Sequence, residues 1–247
     1  MRRTAALWLT ALLLVLGGAG EARAATIVAD LSRHLIPITT AFGGSDVLLF
    51  GTADEADDVI VVVRGPSETI TVRRKDRFAG IWLNQEAMTF RDIPAFYAVA
   101  ATRPPDEILG PGALARHGIG LEHLRLATDE ASEAERLQRF RAGLIRNKQR
   151  EALYADDLRV RFLGRGLFRT TIPFPANVPP GRYQVEVFAI QGGSIVAAQQ
   201  SALVISKVGF EARMSDVAQD QAPLYALGAI SFAIFAGWMA ALAFRRN

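Results

Sequence analysis

Apolar positions along this 247-residue chain follow three patterns: unbroken stretches near the two ends, short or alternating runs in two regions between them, and one helical-period segment in the middle. The runs at 47–50 (VLLF) and 59–63 (VIVVV) are bounded by Gly43-Gly44, Gly51 and Gly65-Pro66, as buried strands are between turns. Residues 69–73 alternate, with Ile70 and Val72 on one face and Thr71 and Arg73 on the other. Residues 80–83 and 95–101 are further strands. Turn residues recur roughly every eight to twelve positions, a spacing that predicts a mainly β fold built as an immunoglobulin-like antiparallel sandwich.

After Arg103-Pro104-Pro105 the pattern changes. Short helices are expected at 106–116 and 120–126, and a longer one over 130–154, capped by Thr128 or Asp129. Leu137, Phe140, Leu144 and Ile145 share one face of it. Glu130, Glu133 and Glu135 crowd its start and Arg146, Lys148 and Arg150 its end, an order that complements the helix dipole. Arg136, Arg139, Arg141 and Arg146 then form a basic face, read either as a partner-binding surface or, more simply, as solvated exterior. Strand patterning returns at 158–162, 167–172, 182–190 and 194–205, with Gln191-Gly192-Gly193-Ser194 as a hairpin turn and 178–183 (VPPGRY) as a turn leading into a strand. Two β-rich stretches separated by helices form either one sandwich or two small domains. The reading adopted is two packed sheets with the helical insert between them.

The ends carry targeting signals. Met1-Arg2-Arg3, the apolar residues 5–16 and Ala22-Arg23-Ala24 have the pattern of a signal peptide over 1–24, cleaved before Ala25 on the general secretory route. Its apolar part is too short for a hydrocarbon core of roughly 30 Å, whereas 225–244 runs about twenty residues without a charge. A transmembrane helix is therefore expected at 223–244, after a juxtamembrane linker at 209–222. Arg245 and Arg246 follow, and Glu211, Asp216 and Asp220 precede, so the tail at 245–247 is expected in the cytoplasm. Between the ends lie a first β-rich exported region (25–105), the helical insert (106–156) and a second β-rich region (157–208). Within the membrane segment Ala229, Ala233, Gly237 and Ala241 recur at i+4, a stripe of small side chains that suits self-association or a membrane-protein partner. Tyr225 and Trp238 set its depth.

Charge changes the picture little. The chain has 28 Lys and Arg against 25 Asp and Glu. Arg2, Arg3, Arg23, Arg245, Arg246 and Glu21 lie in the terminal segments, which leaves 23 basic against 24 acidic residues and argues against nucleic acid. The absence of cysteine excludes disulfides and thiolate metal sites. No catalytic elbow, phosphate loop, His-Glu-x-x-His or Rossmann glycine pattern occurs. His117 and His123 are six apart and His34 is distant, so no metal site is read from them. Asp57-Asp58 and Asp156-Asp157 read as solvated turns rather than calcium or acid–base sites, and Trp82 as a core residue rather than a groove lining. No catalytic residue, cofactor or metal is assigned.

Several short motifs together carry a resemblance: Phe42-Gly43-Gly44 with Phe50-Gly51, Gly65-Pro66, Arg73-Arg74-Lys75 followed by 80–84 (GIWLN), Pro94-Ala95-Phe96-Tyr97, Leu167-Phe168-Arg169-Thr170 and Gly237-Trp238. In these the chain resembles the alphaproteobacterial putative transmembrane protein family, a group with a signal peptide, an exported β-rich region and a C-terminal membrane helix. The resemblance implies a single-pass protein of the bacterial inner membrane with a periplasmic domain, and a sulfite-exporter-like permease as partner. It carries over no site residue. Two functions stand open: a non-enzymatic accessory, scaffold or ligand-binding component of a membrane complex, and a periplasmic hydrolase with a site assembled from scattered residues. A cleft collecting Asp57, Asp58, His34 or His117 favours the enzyme; a flat apolar patch favours the scaffold.

Overall fold

The computed structural model describes residues 26–78, 81–128, 134–208, 234–235 and 237–239, with the side chains of 75–85 excepted. The strands are β1 (Ile27–Leu31), β2 (Leu35–Ile38), β3 (Gly44–Ala53), β4 (Asp58–Arg64), β5 (Ser67–Phe78), β6 (Ile81–Pro94), β7 (Tyr97–Ala101), β8 (Ala127–Thr128), β9 (Tyr154–Arg159), β10 (Arg161–Phe162), β11 (Leu167–Pro175), β12 (Gly181–Gln191) and β13 (Ser194–Lys207). The helices are α1 (Pro105–Ile108), α2 (Pro111–His117) and α3 (Ala134–Arg150), with a 3₁₀ turn at Leu121–His123. The protein is mainly β, with several antiparallel sheets.

Two sheets share one core. The first has the order β1-β3-β11-β10, the second β2-β13-β12-β4-β7-β9. Alternation in β3 and β11 buries Val47, Leu49, Phe168, Ile172 and Phe174 and leaves Leu48, Phe50 and Arg169 outside. On β12 the inward residues are Tyr183, Val185, Val187 and Ala189; Tyr183 meets Phe174 of the first sheet edge-on at 5.7 Å, and Phe96 stacks on Phe174 at 4.9 Å. β4 is buried on both faces, which is why it reads as an unbroken apolar run. Its outward Ile60 and Val62 face a cover made by α1, α2 and the 3₁₀ turn, whose Ile108, Leu114, Ile119 and Leu121 belong to the same core. Tyr97 fixes that cover: its hydroxyl donates to Gly118 O at 2.7 Å and accepts the Gly120 N–H at 2.9 Å. Burial pushes this phenol up to about 12, so it stays a neutral donor.

A third sheet, β5-β6-β8, stands apart with its own small core of Met88, Phe90, Ile93, Phe140 and Leu144. Here the β5–β6 hairpin packs against α3. Phe140, Leu144 and Lys148 recur at i+4 along the buried face of α3. The Lys148 side chain, 6 % exposed, ties its ammonium to Glu68 of β5. Arg141 holds the other side of the helix by donating to the carbonyls of Leu121 and Leu124, both at 3.1 Å, and of Glu122.

Several expectations change. Both β-rich stretches supply strands to both large sheets. The helices α1 and α2 cover the outer face of the six-stranded sheet instead of lying between the sheets. The expected helix at 120–126 is reduced to one 3₁₀ turn, which ends where Leu124 takes up an extended conformation (φ −63°, ψ 127°). Strands expected at 69–73 and 80–83 extend into the long β5–β6 hairpin and leave the sandwich altogether. Asp58 is buried, not solvated. The signal peptide, the linker, the tail and most of the membrane segment, with Ala229, Ala233, Ala241, Arg245 and Arg246, lie outside the described residues. Residues 234–235 and 237–239 are helical, with Ile234, Phe235, Trp238 and Met239 exposed. Among the described residues no helix is long and apolar enough to cross a membrane.

Candidate functional site

Where α3 leans on the β5–β6 hairpin it leaves a groove of about 660 Å³. On α3 the residues Arg139, Gly143, Arg146 and Arg150 fall at i, i+4, i+7 and i+11, one stripe beside the buried Phe140–Leu144–Lys148 row. β5, an edge strand, supplies Val72, Arg73 and Arg74 from the opposite wall. Among the described residues five arginines thus face one acid, Glu86 of β6. Among the described residues, the guanidinium groups of Arg73, Arg139, Arg146 and Arg150 make no hydrogen bond or ion pair within the protein. The floor is apolar: Val72, Phe140 and the helix backbone at Gly143.

Glu86 is unusual there. Its side chain is 41 % exposed, yet Oε2 is turned from solvent and accepts no hydrogen bond among the described residues, with Arg136 Nε at 3.9 Å as an ionic neighbour. Arg136 itself donates to Ala87 O at 3.1 Å and lies over the Phe140 ring at 5.6 Å. Of the four arginines singled out from sequence, Arg136 and Arg141 are therefore structural, and Arg139 and Arg146 turn into the groove. Arg73, Arg74 and Arg150 complete it. The signal for them was present as the basic run at 73–75 and the i+11 position on α3, but only the fold opposes the two.

A second cleft, of about 350 Å³, lies beside α2 and is lined by Arg64, Arg116, Arg125, His117, Asp92 and Glu186. Its central arginine is engaged: Arg64 pairs with Glu186 and donates to the carbonyls of His117 and Gly118. His117 meets the Phe188 ring edge-on at 5.2 Å. His34 is exposed and bonded to Asp30 at 3.0 Å. Asp57 accepts the Gly192 N–H at 2.9 Å and so ties the β12–β13 turn. Neither cleft lining includes Asp57, Asp58 or His34. Among the described residues no group of three His, Asp or Glu is placed to hold a metal.

Asp58 is likewise structural. The Arg103 guanidinium, bonded to both carboxylate oxygens, holds its carboxyl below the usual range against the opposing effect of burial, with Thr102 donating at 2.6 Å. A folded-state pKa below the unfolded value gives stability that is present above the unfolded value, about 3.9, and is lost as pH falls through the folded one. The Arg103→Ala variant is therefore expected to melt below the wild type at neutral pH, with the difference shrinking below about pH 4 as Asp58 protonates in both. Thermal melts across that range check it; a difference independent of pH refutes the assignment.

The fold and groove define a mainly β protein of several sheets with an arginine-lined cleft between α3 and the β5–β6 hairpin. The chain belongs to the family described as "Putative transmembrane protein", whose family model matches residues 26–246. No curated protein matches it. Among solved structures, a chain described under "Structural basis of T cell specificity and activation by the bacterial superantigen toxic shock syndrome toxin-1" is 8 % identical, covering 74 % of this chain and 100 % of that one at a TM-score of 0.26. A score that low carries no argument about fold or function.

Proposed function

We propose that the chain is a non-enzymatic, membrane-anchored binding module of the periplasm, and that the α3–hairpin groove is its site for an anionic ligand. The observation that carries this reading is the set of four guanidinium groups, on two elements, that face a common groove without partners among the described residues. Arginine forks match phosphate and carboxylate oxygens in pairs, and an apolar floor lowers the competition from water. The anchor rests on the uncharged segment 225–244, followed by Arg245 and Arg246, and on the family description. The small-residue stripe gives that helix a face for a membrane partner, the permease included.

The scaffold reads as an immunoglobulin-like sandwich of variable type. The order β1-β3-β11-β10 opposite β2-β13-β12-β4-β7 follows A-B-E-D opposite A′-G-F-C-C′, with β2 parallel to β13. Tyr183, near the start of β12, donates to Pro179 O at 2.6 Å, as a tyrosine corner does. In this scheme β5–β6 is an insertion between the C and C′ strands, which makes the groove an addition to the sandwich.

Titration of the full chain in nonionic detergent with pyrophosphate tests the site. Saturable binding that weakens with salt is expected, and Arg139→Ala with Arg146→Ala should reduce affinity about 100-fold, at roughly 1.5 kcal/mol for each charged contact. No saturable binding, or an affinity the double variant leaves unchanged, overturns the proposal.

A further inference from the structure

We infer that the groove's ligand is a polyol phosphate: a phosphate ester whose carbon skeleton carries a hydroxyl, delivered either as a lipid headgroup of the glycerol-phosphate kind or as the free ester. This rests on the anionic reading of the groove and adds to it the chemistry of the rest of the ligand.

Three features of the site lead there. The arginines account for the phosphate. Glu86 does not fit a site for a bare anion, since a carboxylate on its wall repels the ligand that the guanidinium groups attract. Its side chain is nonetheless 41 % exposed and lines the groove, while Oε2, in ionic reach of Arg136, accepts no hydrogen bond among the described residues, so the carboxylate is placed to take a donor that a ligand brings. A ligand that brings a donor beside its phosphate satisfies both halves of the wall. Between the two donors in ordinary biological phosphates, hydroxyl suits this groove better than ammonium, because Arg136 Nε already lies 3.9 Å from Glu86 and the surroundings carry an excess of positive charge. The third feature is room for carbon. A volume of about 660 Å³ far exceeds what one phosphate fills, and the floor of Val72, Phe140 and Gly143 offers apolar contact. Gly143 widens it: a Cβ there would stand 4.0 Å from Val72 Cγ1, ordinary contact that a larger residue would extend into the groove.

Glycerol 3-phosphate and ethyl phosphate carry the same charged group and differ in hydroxyls, so their affinities for the full chain in detergent separate the donor from the anion. The wild type is expected to prefer glycerol 3-phosphate by about tenfold or more, the worth of one hydrogen bond to a charged acceptor. The Glu86→Met variant, which keeps length and loses the acceptor, should bind ethyl phosphate more tightly and show no preference. Glu86→Gln, which keeps a neutral acceptor and is the milder change to the hairpin, should also gain ethyl phosphate affinity and retain part of the preference. Mixed micelles of phosphatidylglycerol against phosphatidylmethanol repeat the comparison for lipids; tighter binding in this arm than with the free esters identifies a headgroup, and the reverse a soluble ester. Equal affinity for the two members of both pairs in the wild type, or a preference unchanged in both Glu86 variants, overturns the polyol assignment while leaving an anion site. Loss of saturable binding to every probe, pyrophosphate included, overturns the anion site as well.

Discussion

Replacing Gly51 with alanine is expected to cost roughly 3 kcal/mol or more, beyond the usual range for one added methyl group, because the obstacle is backbone. Gly51 lies in β3 between β1 and β11, opposite Ala29 on one side and Phe168 on the other. A Cβ at this position would stand 2.3 Å from Val28 O and 2.7 Å from Ala29 Cα, so β1 has to move away from the sheet. Flexible side chains give way cheaply; a hydrogen-bonded strand does not. The displacement would also draw Ala29 and Leu31, both buried, out of the core. At roughly 2–4 °C per kcal/mol for a domain of this size, the melting temperature should fall by about 10 °C. Gly43→Ala is the control, since its Cβ meets nothing within 4 Å. A Gly51→Ala protein that melts with the wild type would show that β1 is not held as described.

The second large effect concerns the link between α3 and the hairpin. Glu68→Ala removes the counter-charge of a lysine whose side chain is 6 % exposed and should destabilise the third sheet and α3 by about 3–5 kcal/mol, the cost of leaving a buried charge unpaired. Lys148→Met combined with Glu68→Leu should be far milder, near neutral, because it removes both charges and fills the space with carbon. The measurement compares the single and double variants by denaturant unfolding, with anion binding as a second readout. Loosening α3 separates Arg139, Arg146 and Arg150 from Arg73 and Arg74, so Glu68→Ala should weaken binding although neither partner of the ion pair lines the groove. Single and double variants of equal stability would mean that the ion pair holds nothing together.

The sequence by itself determined the elements that depend on near neighbours. The run at 59–63 became β4, 167–172 became most of β11, and Gln191-Gly192-Gly193-Ser194 became the β12–β13 turn, with both glycines at positive φ. The apolar row of α3 was also legible, since 3.6-residue periodicity is a property of the helix itself. Local pattern also made the arginines visible, but not their use. Arg136, Arg139, Arg141 and Arg146 look alike along the chain; only the third sheet and the 3₁₀ turn engage Arg136 and Arg141 and leave the other two facing Arg73. Lys148 read as a C-terminal dipole charge and is buried against Glu68, eighty residues earlier in the sequence. Asp58 read as a turn residue and is buried beneath Arg103. Alternation cannot reveal that β5 and β6 leave the sandwich, because a strand shows the same inward and outward sequence whichever sheet it joins. Partner choice between strands and between charges is decided by burial of surfaces distant in sequence. For this chain, that is what set the groove apart from an ordinary basic helix face.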